Sequence, residues 1–210
     1  VIRRMLASGR VTNMIFYGPP GTGKTTAAEI IARESGMVFH RLNATTASLS
    51  DVKDILSSTN NVFCTGGILL YIDEIQYFNK KQQQALLEYI EDGRVTLITS
   101  TTENPHFYVY NAVLSRSTVF EFKPVTVDEV KSAIIRAYKI MGENLKAEII
   151  ASDDVVTHIA WYCGGDVRKA INCVELSALS STKSADGKIT VSIETVKELS
   201  QRSSMKYDRG

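Results

Sequence analysis

The chain has 210 residues, with 24 Lys and Arg against 23 Asp and Glu, a formal net charge of +1, and 44% hydrophobic residues. That balance excludes a disordered chain, which needs low hydrophobicity and high net charge, and it shows no sign of the basic domain that usually marks nucleic-acid binding. The longest clean apolar run, Ile68 to Ile72, is five residues, far short of the roughly 18 of a membrane helix, and no basic segment leads into an apolar one as a secretory signal would.

Along the chain, short apolar runs alternate with helical patterns. Ile15 to Tyr17 reads as the tail of a strand, and Thr25 to Glu34 as a helix ended by Gly36. Val38 to Leu42 is a second strand and Leu49 to Leu56 a helix. Ile68 to Ile72 is a third strand, Gln82 to Glu91 a helix stopped by Asp92-Gly93, Val95 to Thr99 a fourth strand and Val119 to Phe122 a fifth. Strands rich in Val, Ile and Leu that alternate with helices predict a parallel sheet covered on both faces. Beyond Pro124 the pattern becomes helical over 126–141, 153–162 and 166–182, with Ile189-Thr190-Val191 at most a short β segment and Asp186-Gly187 an exposed turn. Two parts are expected, 1–123 and 124–210. Cys64, Cys163 and Cys173 show no C-x-x-C spacing. They are expected to be reduced structural thiols, with neither zinc nor a disulfide.

Gly18-Pro19-Pro20-Gly21-Thr22-Gly23-Lys24-Thr25 fits G-x-x-x-x-G-K-[ST], between a strand and a helix as that motif requires. Backbone N–H groups freed by the glycines form an anion cradle, and the next helix aims its positive end at the same place. Lys24 is expected on the β- and γ-phosphates of ATP and the Thr25 hydroxyl on Mg2+. Gly18, Pro20, Gly21, Thr22, Gly23 and Thr26 complete the expected nucleotide site. The apolar strand at 68–72 ends in Asp73-Glu74, which a buried strand delivers to the carboxyl edge of the sheet. Asp73 is expected on the metal and Glu74 on the attacking water.

With GPPGTGKTT followed by LLYIDEI, the chain resembles the AAA+ ATPases. The resemblance implies a five-stranded parallel sheet sandwiched by helices as the nucleotide-binding domain (1–123), followed by a small all-helical lid (124–210). It also implies three further site residues or groups. The fourth strand runs into Thr101-Thr102-Glu103-Asn104-Pro105, where the family keeps a polar sensor. Thr102 matches that position best and Asn104 next. Leu114-Ser115-Arg116 resembles the segment of clamp-loader relatives whose arginine reaches the nucleotide of the neighbouring subunit. Gly164-Gly165-Asp166-Val167-Arg168 resembles the second sensor of the lid. There Asp166 fits a helix cap, and Arg168 falls in the first turn, where the helix dipole disfavours a cation unless an anion lies between them.

The finer match is to the replication-associated recombination protein A family and its eukaryotic relatives, the Werner-helicase-interacting proteins. It rests on Asp73 to Lys80, Gln82 to Ala85, Ile90 to Gly93, the TTENP stretch, Leu114-Ser115-Arg116 and the tail Tyr207-Asp208-Arg209. It implies a DNA-dependent ATPase at replication forks, in recombination and repair. It also implies a homo-oligomer, tetrameric at full length, with forked or single-stranded DNA and replication proteins as partners. The location implied is cytoplasmic and nucleoid-associated in a bacterium, nuclear in a eukaryote. On this reading the start at Val1 is a cut inside a longer protein. An adenine-side segment and a C-terminal oligomerisation domain then lie outside the chain, and the fragment assembles and turns over poorly. Gln76 departs from the histidine usual in bacterial members. It can hydrogen-bond but cannot titrate.

The competing readings are a clamp-loader subunit, which usually has Ser-Arg-Cys where Ser117 follows Arg116, and a Holliday-junction branch-migration motor, which lacks TTENP. A non-catalytic scaffold would be expected to have lost Lys24, Glu74 or Arg116. The clusters Lys80-Lys81 and Arg3-Arg4 read as solvated faces. Phe107, Tyr108 and Tyr110 would touch DNA only if their loop lined an axial channel; subunit packing or a wet loop is the plainer expectation.

Overall fold

The computed structural model describes residues 2–59, 67–93 and 95–204. Cys64 and the Tyr207-Asp208-Arg209 tail lie outside the described residues. The chain divides into two units, Val1–Lys123 and Pro124–Gly210.

The first unit runs α1 (Ile2–Ala7), β1 (Met14–Tyr17), α2 (Lys24–Ser35), β2 (Val38–Asn43), α3 (Leu49–Thr59), β3 (Ile68–Asp73), α4 (Lys80–Glu91), β4 (Val95–Thr101), α5 (Pro105–Tyr108), α6 (Asn111–Leu114) and β5 (Thr118–Glu121). Its five strands form one sheet in the order β2-β3-β4-β1-β5, and every pairing is parallel. All five therefore end at one edge, where open α/β sheets place their ligands.

Strand alternation sends successive side chains to opposite faces. On β3, Ile68, Leu70 and Ile72 join Val52 of α3 and Leu86 and Tyr89 of α4. Leu69 and Tyr71 join Ala28, Ile31 and Ala32 of α2 on the other face. Only Asp73 escapes burial on this strand. Burial on both faces holds the strand rigidly, so its terminal carboxylate has a fixed position. Helix α4 begins with a capping box: Asn79 Oδ1 accepts from Gln82 N–H at 3.0 Å, and Asn79 N–H donates to Gln82 Oε1 at 2.9 Å.

The second unit contains α7 (Val127–Leu145), β6 (Glu148–Ala151), α8 (Asp153–Cys163), α9 (Val167–Ser180), β7 (Lys188–Val191) and α10 (Ile193–Ser204). The expectation of an all-helical lid needs one addition, a two-stranded parallel sheet formed by β6 and β7. Both strands have four residues, too few for a period-2 pattern to stand out. A parallel pair also needs a long crossover, here α8 and α9, which puts the partners far apart in sequence. Helix α7 carries another capping box, with Thr126 and Glu129 bonded reciprocally. Replacing Thr126 with Ala should cost about 1 kcal/mol, read as a lower urea midpoint at unchanged slope. Cys163 and Cys173 are buried free thiols. Burial pushes the Cys163 thiol up to about 12 and raises that of Cys173 too, so both stay protonated and unreactive at neutral pH.

Candidate functional site

The loop Gly18–Gly23 connects β1 to α2 and bonds back to the neighbouring strand, with Gly18 N–H donating to the Thr101 carbonyl at 3.2 Å. Gly18 has φ of 138°, and a Cβ there would stand 2.0 Å from the Phe122 carbonyl oxygen. No side chain fits that approach. A Gly18→Ala chain should lose at least about 1–3 kcal/mol of stability, measured by thermal unfolding, and lose nucleotide binding with it.

Gly23 caps α2 in a left-handed conformation, and the first turn carries no acidic residue. Lys24 follows, only 9% exposed. Its ammonium donates to the Gly18 and Pro19 carbonyls at 2.7 and 2.8 Å, so its charge sits over the loop itself. A buried cation and the positive end of a 12-residue helix meet at one place. Both favour an anion there, and these residues fit a nucleotide phosphate chain.

Next to the loop, Thr25 and Asp73 converge. The Tyr71 hydroxyl lies 3.0 Å from Thr25 Oγ1 and donates to Asp73 Oδ1 at 3.3 Å. Burial first, with the Asp73 charge adding, pushes the Tyr71 phenol up to about 12, so it remains a neutral donor. Ser100 Oγ donates to the same Asp73 oxygen, and Arg41 pairs with Asp73 Oδ2 at 3.0 Å. Among the described residues no cluster of three His, Cys, Asp or Glu could bind a metal ion by itself. One hydroxyl and one carboxylate suit Mg2+, which keeps waters and takes substrate phosphate oxygens as its other ligands.

Glu74 has φ of 56° and ψ of 49°, a left-handed backbone that costs of order 1–3 kcal/mol for a residue with a side chain. Its carboxylate accepts from Gln76 Nε2 at 2.6 Å, while the Gln76 carbonyl oxygen is buried without a hydrogen-bond partner. The amide fixes Glu74 in a strained posture beside Asp73.

The sensor candidates separate. Thr102 and Asn104 are exposed, and Asn104 Oδ1 accepts from His106 N–H as the cap of α5. Ser100 is the β4 side chain that touches Asp73. Arg116 lies just before β5, whose first residue pairs with the first residue of β1, Met14↔Thr118. It is therefore at the amino edge of the sheet, a strand length from Gly18, at about 3.3 Å per residue. Its guanidinium pairs with Glu91 at 2.7 Å, half-exposed. In the second unit, Asp166 caps α9 by accepting from Lys169 N–H at 3.1 Å, and Arg168 is exposed in the first turn. Thr22 Oγ1 donates to the Pro19 carbonyl within the loop. Arg3, Arg4, Lys80 and Lys81 are exposed.

The profile of the ATPase family associated with various cellular activities (AAA) matches residues 14–125, over half of the chain. The chain belongs to the AAA family. The AAA C-terminal domain profile matches residues 145–210. This AAA chain is 37% identical to Replication-associated recombination protein A of Bacillus subtilis, over 100% of the chain and 49% of the relative. It is 31% identical to ATPase WRNIP1 of Dictyostelium discoideum, over 100% of the chain and 26% of that protein. It thus spans half or less of the length of these curated relatives. Among solved structures, the RuvB Holliday junction branch migration motor of Thermotoga maritima superposes with a TM-score of 0.73 at 26% identity, over 96% of this chain and 65% of the other.

Proposed function

We propose that this AAA chain is the ATP-hydrolysing core of a DNA-dependent machine of replication-associated recombination and repair. The observation that carries the reading is the meeting of Lys24, Thr25 and Asp73 at one sheet edge, with the strained Glu74 beside them. Lys24 holds the β- and γ-phosphates, and the loop Gly18, Pro20, Gly21, Thr22, Gly23 with Thr26 surrounds the phosphate chain. Thr25 and Asp73 hold Mg2+, which when bound spreads the charge of the transferred phosphoryl group. Glu74 orients the attacking water and takes up its proton. Thr102 or Asn104, from the end of β4, senses the γ-phosphate, and Arg168 keeps the second-sensor role that the family resemblance gives it. Arg116 serves the site of a neighbouring copy, because its place at the opposite sheet edge keeps it from its own.

Similarity to proteins named for recombination supports DNA as the partner, acting on an oligomer whose small inner face meets the strand. The near-neutral net charge is compatible with that. A location with the DNA, nucleoid or nucleus, follows from the same reading. The fold likeness to a branch migration motor favours one alternative, a junction-moving ATPase. The deciding experiment is ATP turnover by the full-length protein without DNA and with forked, single-stranded and duplex DNA. Stimulation by forked or single-stranded DNA is the expected result, preference for four-way junctions would favour the alternative, and indifference to all DNA would overturn the reading.

A further inference from the structure

A cleft of about 460 Å3 opens beside α4, lined by Phe78, Lys80, Gln83 and residues 106–111. No role in nucleotide chemistry accounts for it. Its rim carries large apolar surface in water: Phe107 is 81% exposed and Tyr108 50%. Such rings on a soluble surface mark an interaction site when they gather around a concavity. The Lys80 ammonium stands 5.3 Å over the Tyr110 ring, and no acidic side chain lines the cleft. Flat rings beside a lysine, with no carboxylate, suit a base on a phosphate backbone. A base stacks on an aromatic face whatever its sequence, and the lysine takes the adjacent phosphate.

The aromatic segment is held firmly. Gln83 is buried, and its Nε2 donates to the Phe78 and Tyr108 carbonyls at 2.9 and 3.1 Å. Its Oε1 accepts from Tyr110 N–H at 2.7 Å. One side chain thus ties the cleft wall to the turn that leads from Glu74 into α4. Such a wall loses little freedom on binding, which favours affinity.

We infer that this cleft binds single-stranded DNA, stacking an unpaired base on Phe107 with the neighbouring phosphate on Lys80. The inference rests on the DNA reading above and names the place where the strand is held. Packing between subunits is the rival use of the same rings.

The test is fluorescence anisotropy with a labelled oligothymidylate, run over a salt series on the full-length oligomeric protein. Phe107→Ala should weaken binding about 5- to 100-fold, Phe107→Trp should keep it, and Lys80→Ala should reduce the salt slope by about 0.7. A ring this exposed contributes little to stability, so the thermal unfolding of Phe107→Ala should match the wild type. If the wild type binds oligothymidylate but Phe107→Ala binds within about twofold of it, the cleft assignment falls and the DNA reading stands. If Phe107→Ala instead alters the mass in light scattering at unchanged affinity, the rings are a subunit contact and the assignment falls. If the wild type binds neither single-stranded nor forked DNA, both fall together.

Discussion

Glu74→Gln should bind ATP with wild-type affinity and hydrolyse it about 10²- to 10⁴-fold more slowly, the contribution of a positioned general base. The substitution keeps size and shape, so the left-handed backbone and the contact with Gln76 can persist. An amide in place of the carboxylate can orient water but cannot take its proton. Nucleotide affinity should be unaffected because the groups read as phosphate and metal ligands, Lys24, Thr25 and Asp73, are untouched. Single-turnover release of phosphate and a separate binding titration check the two halves. Turnover equal to the wild type would remove Glu74 from the role of base; lost binding would mean that its posture shapes the phosphate site.

Arg116→Ala should lower turnover in the assembled state by about 10³- to 10⁵-fold, the range for an arginine that stabilises transferring phosphoryl charge. Each chain's own nucleotide affinity should stay within a few-fold. In the isolated chain the guanidinium rests on Glu91. An exposed pair of this kind contributes roughly 0–1 kcal/mol, so little resists its transfer to a phosphate across an interface. The specific check is concentration: wild-type specific activity should rise as the protein is concentrated and the variant's should remain flat. Robust turnover by a demonstrably monomeric sample would overturn action in trans.

The contiguous parts of the candidate site were legible in the sequence. Gly18 to Thr25 and Ile68 to Glu74 each announce themselves within one stretch, and the structure brings Thr25 and Asp73 to one tyrosine hydroxyl. The partners of Asp73 were not legible. Ser100 meets it because β4 lies beside β3 in a register that pairs Ile72 with Thr99. Arg41 meets it because β2 pairs Asn43 with Asp73, placing Arg41 on the same face two residues back. Parallel registers are set by crossovers and packing, not by a local turn, so no short pattern carries them. Tyr71 read as one more apolar strand residue, although its hydroxyl joins Thr25 to Asp73. The β6 strand escaped for a related reason, since four residues between helices are recognised only through their partner.

The places of Gly18 and Arg116 give the subunit a polarity. The phosphate loop leaves one edge of a parallel sheet and the arginine precedes a strand at the other, so under the proposed action of Arg116 in trans each copy has an acceptor edge and a donor edge. Contacts between unlike surfaces run head to tail, closing into a ring or winding into a spiral. Such assemblies cannot complete their sites by pairing like surface with like. Activity should then reappear when two dead variants are mixed. Lys24→Ala supplies intact arginines and Arg116→Ala supplies intact loops, so junctions where the first donates to the second are whole. A mixture as inactive as its components would deny the subunit that direction.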